Sequence, residues 1–423
     1  MLQERLPKIT CVGKQWHVWE TGVLQPTKKD RFRPMAHEIL RRDQESSGLA
    51  NSVLNTIEGR CQVSEDKFKS FAVMDGDAIL LNCRNGILQV TRETVALLPH
   101  TMDHLFTKQI AAAFDEQAGL DEFDRVVAEA LREEEDRQLF LRFAGYTLLP
   151  NCSLHAALIC YGQGGTGKST VWDAIANVLG TDLVMRVSLR QLCDGQGYSI
   201  PRLRFAALNL GTEAPSGDLG ETDVLKNLVC GEPVEARAIY GKPATFQGYC
   251  TKFVFLSNHL PHFKHGTDAE LRRLRFLHFA HKPDQVDPRV PQRLAAEKDG
   301  IFSHLMVPTL QTLLRDPIIP DGGTTSRAVR ERFAIENDPL EAFLTQCCKF
   351  GPELQETKDN LHGAFLAWAD GKDVAAGLKT AAHFFQELRT KRTGLQDFRP
   401  TINGVRTHCL TGICLKDSGD AQK

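Results

Sequence analysis

Long apolar runs are missing from this sequence. None approaches the roughly 20 residues that cross a bilayer as a helix, and the opening MLQERLPKIT lacks a signal peptide's apolar core. There is no C-x-x-C pair. The twelve cysteines are scattered, with only Cys347 and Cys348 adjacent, a pattern that argues against a zinc site or a disulfide framework and suits reduced thiols. An excess of charge is missing too. Lys and Arg total 51 against 53 Asp and Glu, a net −2, so any contact with nucleic acid must come from local basic patches. These absences lead us to expect a cytoplasmic protein (host cytoplasm if the chain is viral) with no membrane partner. The rest is ordinary for a globular chain: 423 residues, 42% hydrophobic and 25% charged, long enough for roughly two or three domains.

The chain is organised around AALICYGQGGTGKST. Its apolar start, Ala156 to Tyr161, has the length of a buried strand. Gly162-Gln163-Gly164-Gly165-Thr166-Gly167-Lys168-Ser169 then matches G-x-x-x-x-G-K-[ST], and Val171 to Leu179 has helical spacing with Gly180 as its C-cap. Backbone N–H groups can converge on a triphosphate only where small residues let the chain curl tightly, and the following helix adds its positive dipole end. We therefore expect Gly162, Gly164, Gly165, Thr166, Gly167, Lys168, Ser169 and Thr170 to hold ATP. Lys168 would reach the β- and γ-phosphates, and Ser169 would hold Mg²⁺.

Other stretches are placed around this one. Asn85-Gly86 between two apolar runs predicts a hairpin. Asp75-Gly76-Asp77 is read as a polar turn rather than a pair of metal ligands. Leu120 to Phe143 reads as one charged amphipathic helix; Asp121 to Arg137 holds eight acids against three bases, by default a solvated face. Arg204 to Glu213 is a buried-strand pattern ending in a carboxylate. An acid at a strand's carboxyl end some forty residues after a P-loop can order Mg²⁺ and polarise an attacking water, so Glu213 is the expected catalytic acid. Ala238–Ile239 and Ala244–Phe246 could pair around Tyr240-Gly241-Lys242-Pro243. Phe253 to Ser257 is a third core strand, and Asn258 at its end can hold the water or sense the γ-phosphate. From Arg237 to Arg275 there are seven Lys/Arg against two Asp/Glu. Arg272 and Arg273 are candidates for an arginine finger donated to a neighbour's ATP.

This succession (GQGGTGKS, the strand to Glu213, GEPVEARAIYGKPATF, FLSNHLP, DAELRRLRFLHF) resembles the superfamily 3 helicase domain of phage and plasmid primase-helicases, a group that includes the poxvirus type. The upstream ILLNCRNGILQV and LLPHTMDHLFTKQIAAAFD look like the accessory domain that precedes it. The resemblance implies an AAA+-like α/β domain that forms a ring, usually a hexamer, with ATP between subunits. Lys168, Ser169, Glu213 and Asn258 would come from one subunit and an arginine from the next, Arg273 as first choice and Arg272 as second. Tyr240 and Lys242 would line the channel and grip single-stranded DNA by stacking and phosphate contact. Thr212, where many members place a second acid, is a departure, and no convincing primase domain is present, so the chain would be a helicase without primase activity or a half whose primase is encoded separately.

The expected organisation is an accessory α+β domain over 1–115, an ATPase domain over 116–330 led by helical segment 116–150, and a winged-helix-like domain over 331–423. In the last, helices at Leu340–Cys348, Asp359–Trp368 and Thr380–Lys391 precede strand signals at Pro400–Ile402 and Thr407–Leu410. Arg389, Lys391, Arg392, Arg399 and Arg406 could touch a DNA backbone. The function implied is a DNA helicase acting on single-stranded or forked DNA in replication of a phage or mobile element. An ATP-switched initiator or helicase loader is the alternative. A small-molecule kinase would leave Asn258 and the arginine pair without a role.

Overall fold

Alternation in Gln15–Glu20, with Trp16 and Val18 turned inward, makes that segment the middle strand of an antiparallel meander. The computed structural model describes residues 8–40, 46–193, 197–212, 218–219, 223–236, 244–263, 272–283, 285–370, 372, 376–402 and 405–416. Strands β1 (Ile9–Val12), β2 (Gln15–Glu20) and β3 (Val23–Thr27) pair in that order. Helices α1 (Arg33–Ile39) and α2 (Ser47–Arg60) cover them, and Trp16 stacks on Phe32 at 5.3 Å in a small core of its own.

The expected hairpin is present. Strands β4 (Ala72–Asp75), β5 (Ala78–Cys83), β6 (Gly86–Val90) and β7 (Val95–Leu98) form an antiparallel sheet in chain order. Gly76, at φ +59°, makes the turn between Asp75 and Ala78. Ile79, Leu81 and Val90 share one hydrophobic cluster with Leu158 and Trp172, so this sheet is built onto the central domain.

The segment expected as one helix is two, α3 (Asp121–Ala130) and α4 (Glu134–Tyr146). Leu131 leaves the helical region at φ −123°, ψ 92°. The break lets the apolar faces carrying Phe123 and Phe140 enter the same core. Then follow β8 (Ala157–Tyr161), α5 (Lys168–Leu179), β9 (Val184–Met185), β10 (Leu208–Thr212), α6 (Asp223–Cys230), β11 (Val234–Ala236), β12 (Ala244–Phe246), β13 (Lys252–Ser257) and β14 (Leu274–His278). Five strands make a parallel sheet in the order β14-β8-β13-β10-β9. Both its faces are covered, which is why β8 and β13 read as near-continuous buried runs. Leu158 and Cys160 face one cluster with α5; Ala157 and Ile159 face another with Phe255 and Phe276. Trp172 fixes α5 to the sheet: its Nε1 donates to Cys160 Sγ at 3.1 Å, and its ring meets Phe140 at 5.1 Å. Burial pushes the Cys160 thiol pKa well up.

Strands β11 and β12 pair antiparallel, Val234 with Phe246. The strand that pairs with Ala244–Phe246 is Val234–Ala236; the expected arm Ala238–Ile239 and the stretch 240–243 lie outside the described residues. Helices α7 (Val290–Ala296), α8 (Val307–Arg315) and α9 (Thr324–Asn337) follow, α9 running across position 330. Asp338 breaks it at φ −148° and caps α10 (Pro339–Cys347) by accepting from the Glu341 amide at 3.0 Å. The C-terminal unit continues with β15 (Cys348–Thr357), α11 (Lys358–Ala369), α12 (Ala381–Lys391), β16 (Gln396–Phe398) and β17 (Cys409–Leu415). Its sheet runs β15-β17-β16 over a separate core of Phe343, Phe365 and Phe384. Among the described residues, no helix is long and apolar enough to cross a membrane.

Candidate functional site

Three strands end on one edge of the parallel sheet. Tyr161 of β8 lies level with Ser257 of β13, and Thr212 of β10 lies opposite Leu256. The Gly162–Ser169 loop and Asn258 leave from this edge. Glu213 follows Thr212 in sequence but lies outside the described residues.

The loop is set by backbone. The Gly162 amide donates to Ser257 O at 3.2 Å, and a Cβ on Gly162 would stand 2.3 Å from Phe279 O. Gly167, at φ +85°, is the N-cap of α5, and among the described residues no side chain accepts from the first-turn amides. Those donors are left for an anion. Among the described residues nothing lies within 4 Å of where a Cβ would stand on Gly164 or Gly165, which leaves that wall of the loop open. Thr166 Oγ1 donates to Gln163 O at 2.9 Å and tightens the curl. Lys168 sits at its centre, only 7% exposed. Its Nζ donates to Gly162 O at 2.6 Å, Gln163 O at 2.8 Å and Asn258 Oδ1 at 3.0 Å. Burial lowers its pKa from the ordinary lysine value. Ser169, in the first turn of α5, is exposed, and Thr170 lines the cleft beside the loop.

That cleft, of about 810 Å³, lies between the loop, α3 and residues 281–293, a size that suits a small organic ligand. Val126 and Ala130 form one wall, Val286 and Pro291 the other, with Glu129, His281 and Gln285 as polar groups. Val286 is 82% exposed, an apolar side chain held at the mouth. Arg293 fixes the width: it bridges Glu122 at 2.7 Å and Asp287 at 2.9 Å. Arg289, then Arg293, hold the Asp287 carboxyl well below the usual carboxylate range. The charges of Asp121 to Arg137 include exposed Arg125 and Glu129, as a solvated face requires, and these two also line the cleft, which sequence reasoning did not foresee. The prolines at 283, 288 and 291, a stiff loop following a core strand, are the signal that could have found it.

The arginine pair stands elsewhere. Arg272 and Arg273 precede β14, whose first residue Leu274 pairs with Ala157, the first residue of β8. From there to the carboxyl edge is about 13 Å along the strand, so the pair cannot serve the loop of its own chain. Arg272 is exposed; Arg273 is half-buried, its Nε donating to Cys230 Sγ at 2.9 Å. Tyr240 and Lys242 lie outside the described residues. Of the C-terminal bases, Lys391 pairs with Asp338 at 2.6 Å, Arg392 with Glu341 at 2.5 Å and Arg389 with Asp397 at 2.7 Å. Arg399 and Arg406 remain exposed. The structure thus brings together the loop, Lys168 and Asn258, and sets Arg272 and Arg273 apart from them.

Comparison with known proteins adds two family matches. Residues 2–132 match the D5 N terminal like family, and residues 160–273 match a family of unknown function (DUF5906). Every residue expected to hold ATP or Mg²⁺, together with the arginine pair, Tyr240 and Lys242, lies inside the second match; the C-terminal bases lie outside both. No curated protein matches the chain. Three solved apo structures of the NrS-1 C terminal region superpose with TM-scores of 0.53, 0.53 and 0.52. They are 10%, 11% and 11% identical and cover 97% of this chain and 97% of their own. At that identity the likeness is one of fold.

Proposed function

We propose that the chain is the ATP-hydrolysing subunit of a ring-forming DNA helicase of the superfamily 3 type. It would work in the cytoplasm on single-stranded or forked DNA, in replication of a phage or mobile element, with any primase supplied separately. The match of residues 2–132 to the D5 N terminal like family supports the primase-helicase resemblance. The observation that carries the reading is the division of the site. Loop, Lys168 and Asn258 stand at one edge of the sheet, and the arginine pair stands at the other end of β14. A complete site then needs two copies joined head to tail, which is how rings close.

The residues fit ATP with Mg²⁺. The open loop and uncapped α5 suit the triphosphate, and the cleft of about 810 Å³ suits the base. When bound, Mg-ATP supplies the phosphoryl group and the metal that neutralises its charge. Lys168 would exchange loop carbonyls for phosphate oxygens, which would free Asn258 to orient water. Ser169 and Glu213 would hold the metal, Glu213 would polarise the water, and an arginine from the next subunit would meet the developing charge. The position of β13 between β8 and β10 puts Asn258 between the loop and the Glu213 strand, which supports the AAA+-like reading. Tyr240 and Lys242 grip single-stranded DNA in the channel of a hexamer. Three helices and a sheet whose last strand lies in the middle support the winged-helix-like reading of the C-terminal unit.

The test is ATP hydrolysis by the full chain with and without single-stranded DNA, with Lys242→Ala alongside. Stimulation that disappears in Lys242→Ala is expected. Hydrolysis indifferent to DNA would overturn translocation and leave the initiator or loader reading.

A further inference from the structure

Asn258 leaves β13 into a short segment, residues 259–263, and the placement of that segment decides where its amide points. Ser257 Oγ donates to His259 O at 2.5 Å and accepts from the His259 amide at 3.2 Å, which folds the chain tightly around Asn258. Beyond that turn the segment is gripped by α9. Phe333 and Asn337, four residues apart, share one face of the helix. The Phe333 ring meets the buried Phe263 ring at 5.8 Å. Asn337 Oδ1 accepts from the Phe263 amide at 2.7 Å, and its Nδ2 donates to Pro261 O at 3.3 Å and Phe333 O at 2.9 Å. The bond to Phe333 O belongs to the helix end itself. The other two hold a segment more than seventy residues upstream.

Asn337 is also the last residue of α9, and the joint to the C-terminal unit is the next residue. Asp338, 7% exposed, accepts from the Glu341 amide at 3.0 Å and from Lys391 Nζ at 2.6 Å. Lys391 ends α12. A carboxylate so nearly buried keeps its cation, because an unpaired charge there is costly, so α12 is tied to the residue that follows Asn337. Contacts thus run from Lys168 through Asn258, residues 259–263 and Asn337 to Asp338 and Lys391.

We propose that Asn337 is a positioning residue for Asn258 and that, together with Asp338, it couples the nucleotide site to the C-terminal unit. This rests on the proposed hydrolysis of ATP at this site. A γ-phosphate that takes Lys168 frees Asn258, and the shift passes along residues 259–263 to the end of α9. A load on the C-terminal unit turns Asp338 and moves Asn258 through the same contacts, since coupling between two sites runs both ways. A role confined to ending α9 would leave the bonds to Phe263 and Pro261 without a purpose.

The experiment is steady-state ATP hydrolysis by the full chain, reading kcat and KM separately. Asn337→Ala is expected to cut kcat about tenfold with KM for ATP little changed, and to cost nothing further in an Asn258→Ala background, because it acts through that amide. Lys391→Met, in the C-terminal unit, is expected to cut kcat about threefold, a loss that disappears in the Asn337→Ala background. Asp338→Asn keeps the cap of α10 but gives up the ion pair, and should match Lys391→Met. Wild-type kcat in Asn337→Ala would overturn the proposal. So would a tenfold loss repeated in the Asn258→Ala background, or a Lys391→Met loss that multiplies with that of Asn337→Ala. Failure of the ATPase reading shows itself differently, as a wild-type chain that hydrolyses no ATP. The role toward Asn258 then falls with it, and hydrogen exchange at the Phe263 amide decides the joint. Faster exchange in Lys391→Met supports the joint, and unchanged exchange rules it out.

Discussion

Replacing Gly162 by alanine probes the stem of the phosphate loop. A Cβ there would stand 2.3 Å from Phe279 O and 3.1 Å from Phe279 C. An ordinary C···O contact is about 3.3 Å, so one side must move by about 1 Å. Neither moves freely. The Phe279 amide donates to Tyr161 O at 2.8 Å, Gly162 N is held to Ser257 O at 3.2 Å, and the Phe279 side chain is fully buried. The displacement therefore falls on the loop beyond Gly162, which carries Lys168. Misplacing a reacting group by about 1 Å costs about a hundredfold, or about 2.7 kcal/mol at 1.36 kcal/mol per tenfold. Two neighbours calibrate this. Gly167→Ala meets only Ala130 Cβ at 3.5 Å, an ordinary contact, but must hold φ +85°, at about 1–2 kcal/mol. Gly164→Ala meets nothing within 4 Å. The assay is ATP-induced thermal stabilisation together with ATP hydrolysis, and the expected order of loss is Gly162, then Gly167, then Gly164. Wild-type behaviour of Gly162→Ala, or equal damage in Gly164→Ala, would refute the steric argument.

Arg293→Ala removes both ties that set the cleft between α3 and Val286, to Glu122 and Asp287. It should raise KM for ATP by up to about fivefold and leave kcat unchanged; a change confined to kcat would place the base elsewhere. Lys252 is fully buried and donates to Leu149 O and Cys250 O with no carboxylate partner among the described residues, and burial lowers its pKa. Its folded pKa lies below the unfolded value, so the unfolded chain binds more protons between the two, and stability rises with pH toward about 10.4. Buried thiols such as Cys160, whose pKa is raised, pull stability down over the upper part of that range, and Lys168 contributes in the same sense as Lys252, so the reading is a difference: urea unfolding from neutral pH to pH 10 should show a less positive slope in Lys252→Met than in the wild type. Equal slopes in the two proteins would count against a lowered Lys252 pKa in the folded state.

What could be read from the sequence was what is local or buried on both sides. Parallel strands covered on both faces leave apolar runs, so β8, β10 and β13 stand out in the sequence. The hairpin at Asn85-Gly86 is equally plain, since turn chemistry acts within four residues. β15 was missed because Lys349, Glu353 and Gln355 leave it without a buried alternation. The break between α3 and α4 was missed because each half is amphipathic in the same sense, and only the shared core of Phe123 and Phe140 dictates the bend. The C-terminal bases could touch a DNA backbone as far as the sequence goes, but in the structure Lys391 and Arg392 brace the joint at Asp338 and Glu341. Charge counted along a chain does not show which carboxylate lies opposite. Strand order is the largest omission, because β13 enters between β8 and β10 through pairings that no local pattern encodes.

That strand order leads to one quantitative expectation. If Lys168 and the arginine pair belong to opposite ends of β8 and β14, a chain lacking either should be inactive alone and still supply the other half. Mixed in equal amounts, Lys168→Ala subunits and subunits with both Arg272 and Arg273 changed to alanine enter a ring at random. Half of the loops then carry Lys168, and half of the neighbours facing them carry the arginine pair, so about a quarter of the head-to-tail interfaces are intact. Hydrolysis should recover to about a quarter of wild type where interfaces fire independently, from two preparations that each show almost none. A mixture equal to the sum of its parts would mean that loop and arginine act within one chain, and the roughly 13 Å that separates them along β14 would have to be closed by a rearrangement of the sheet itself.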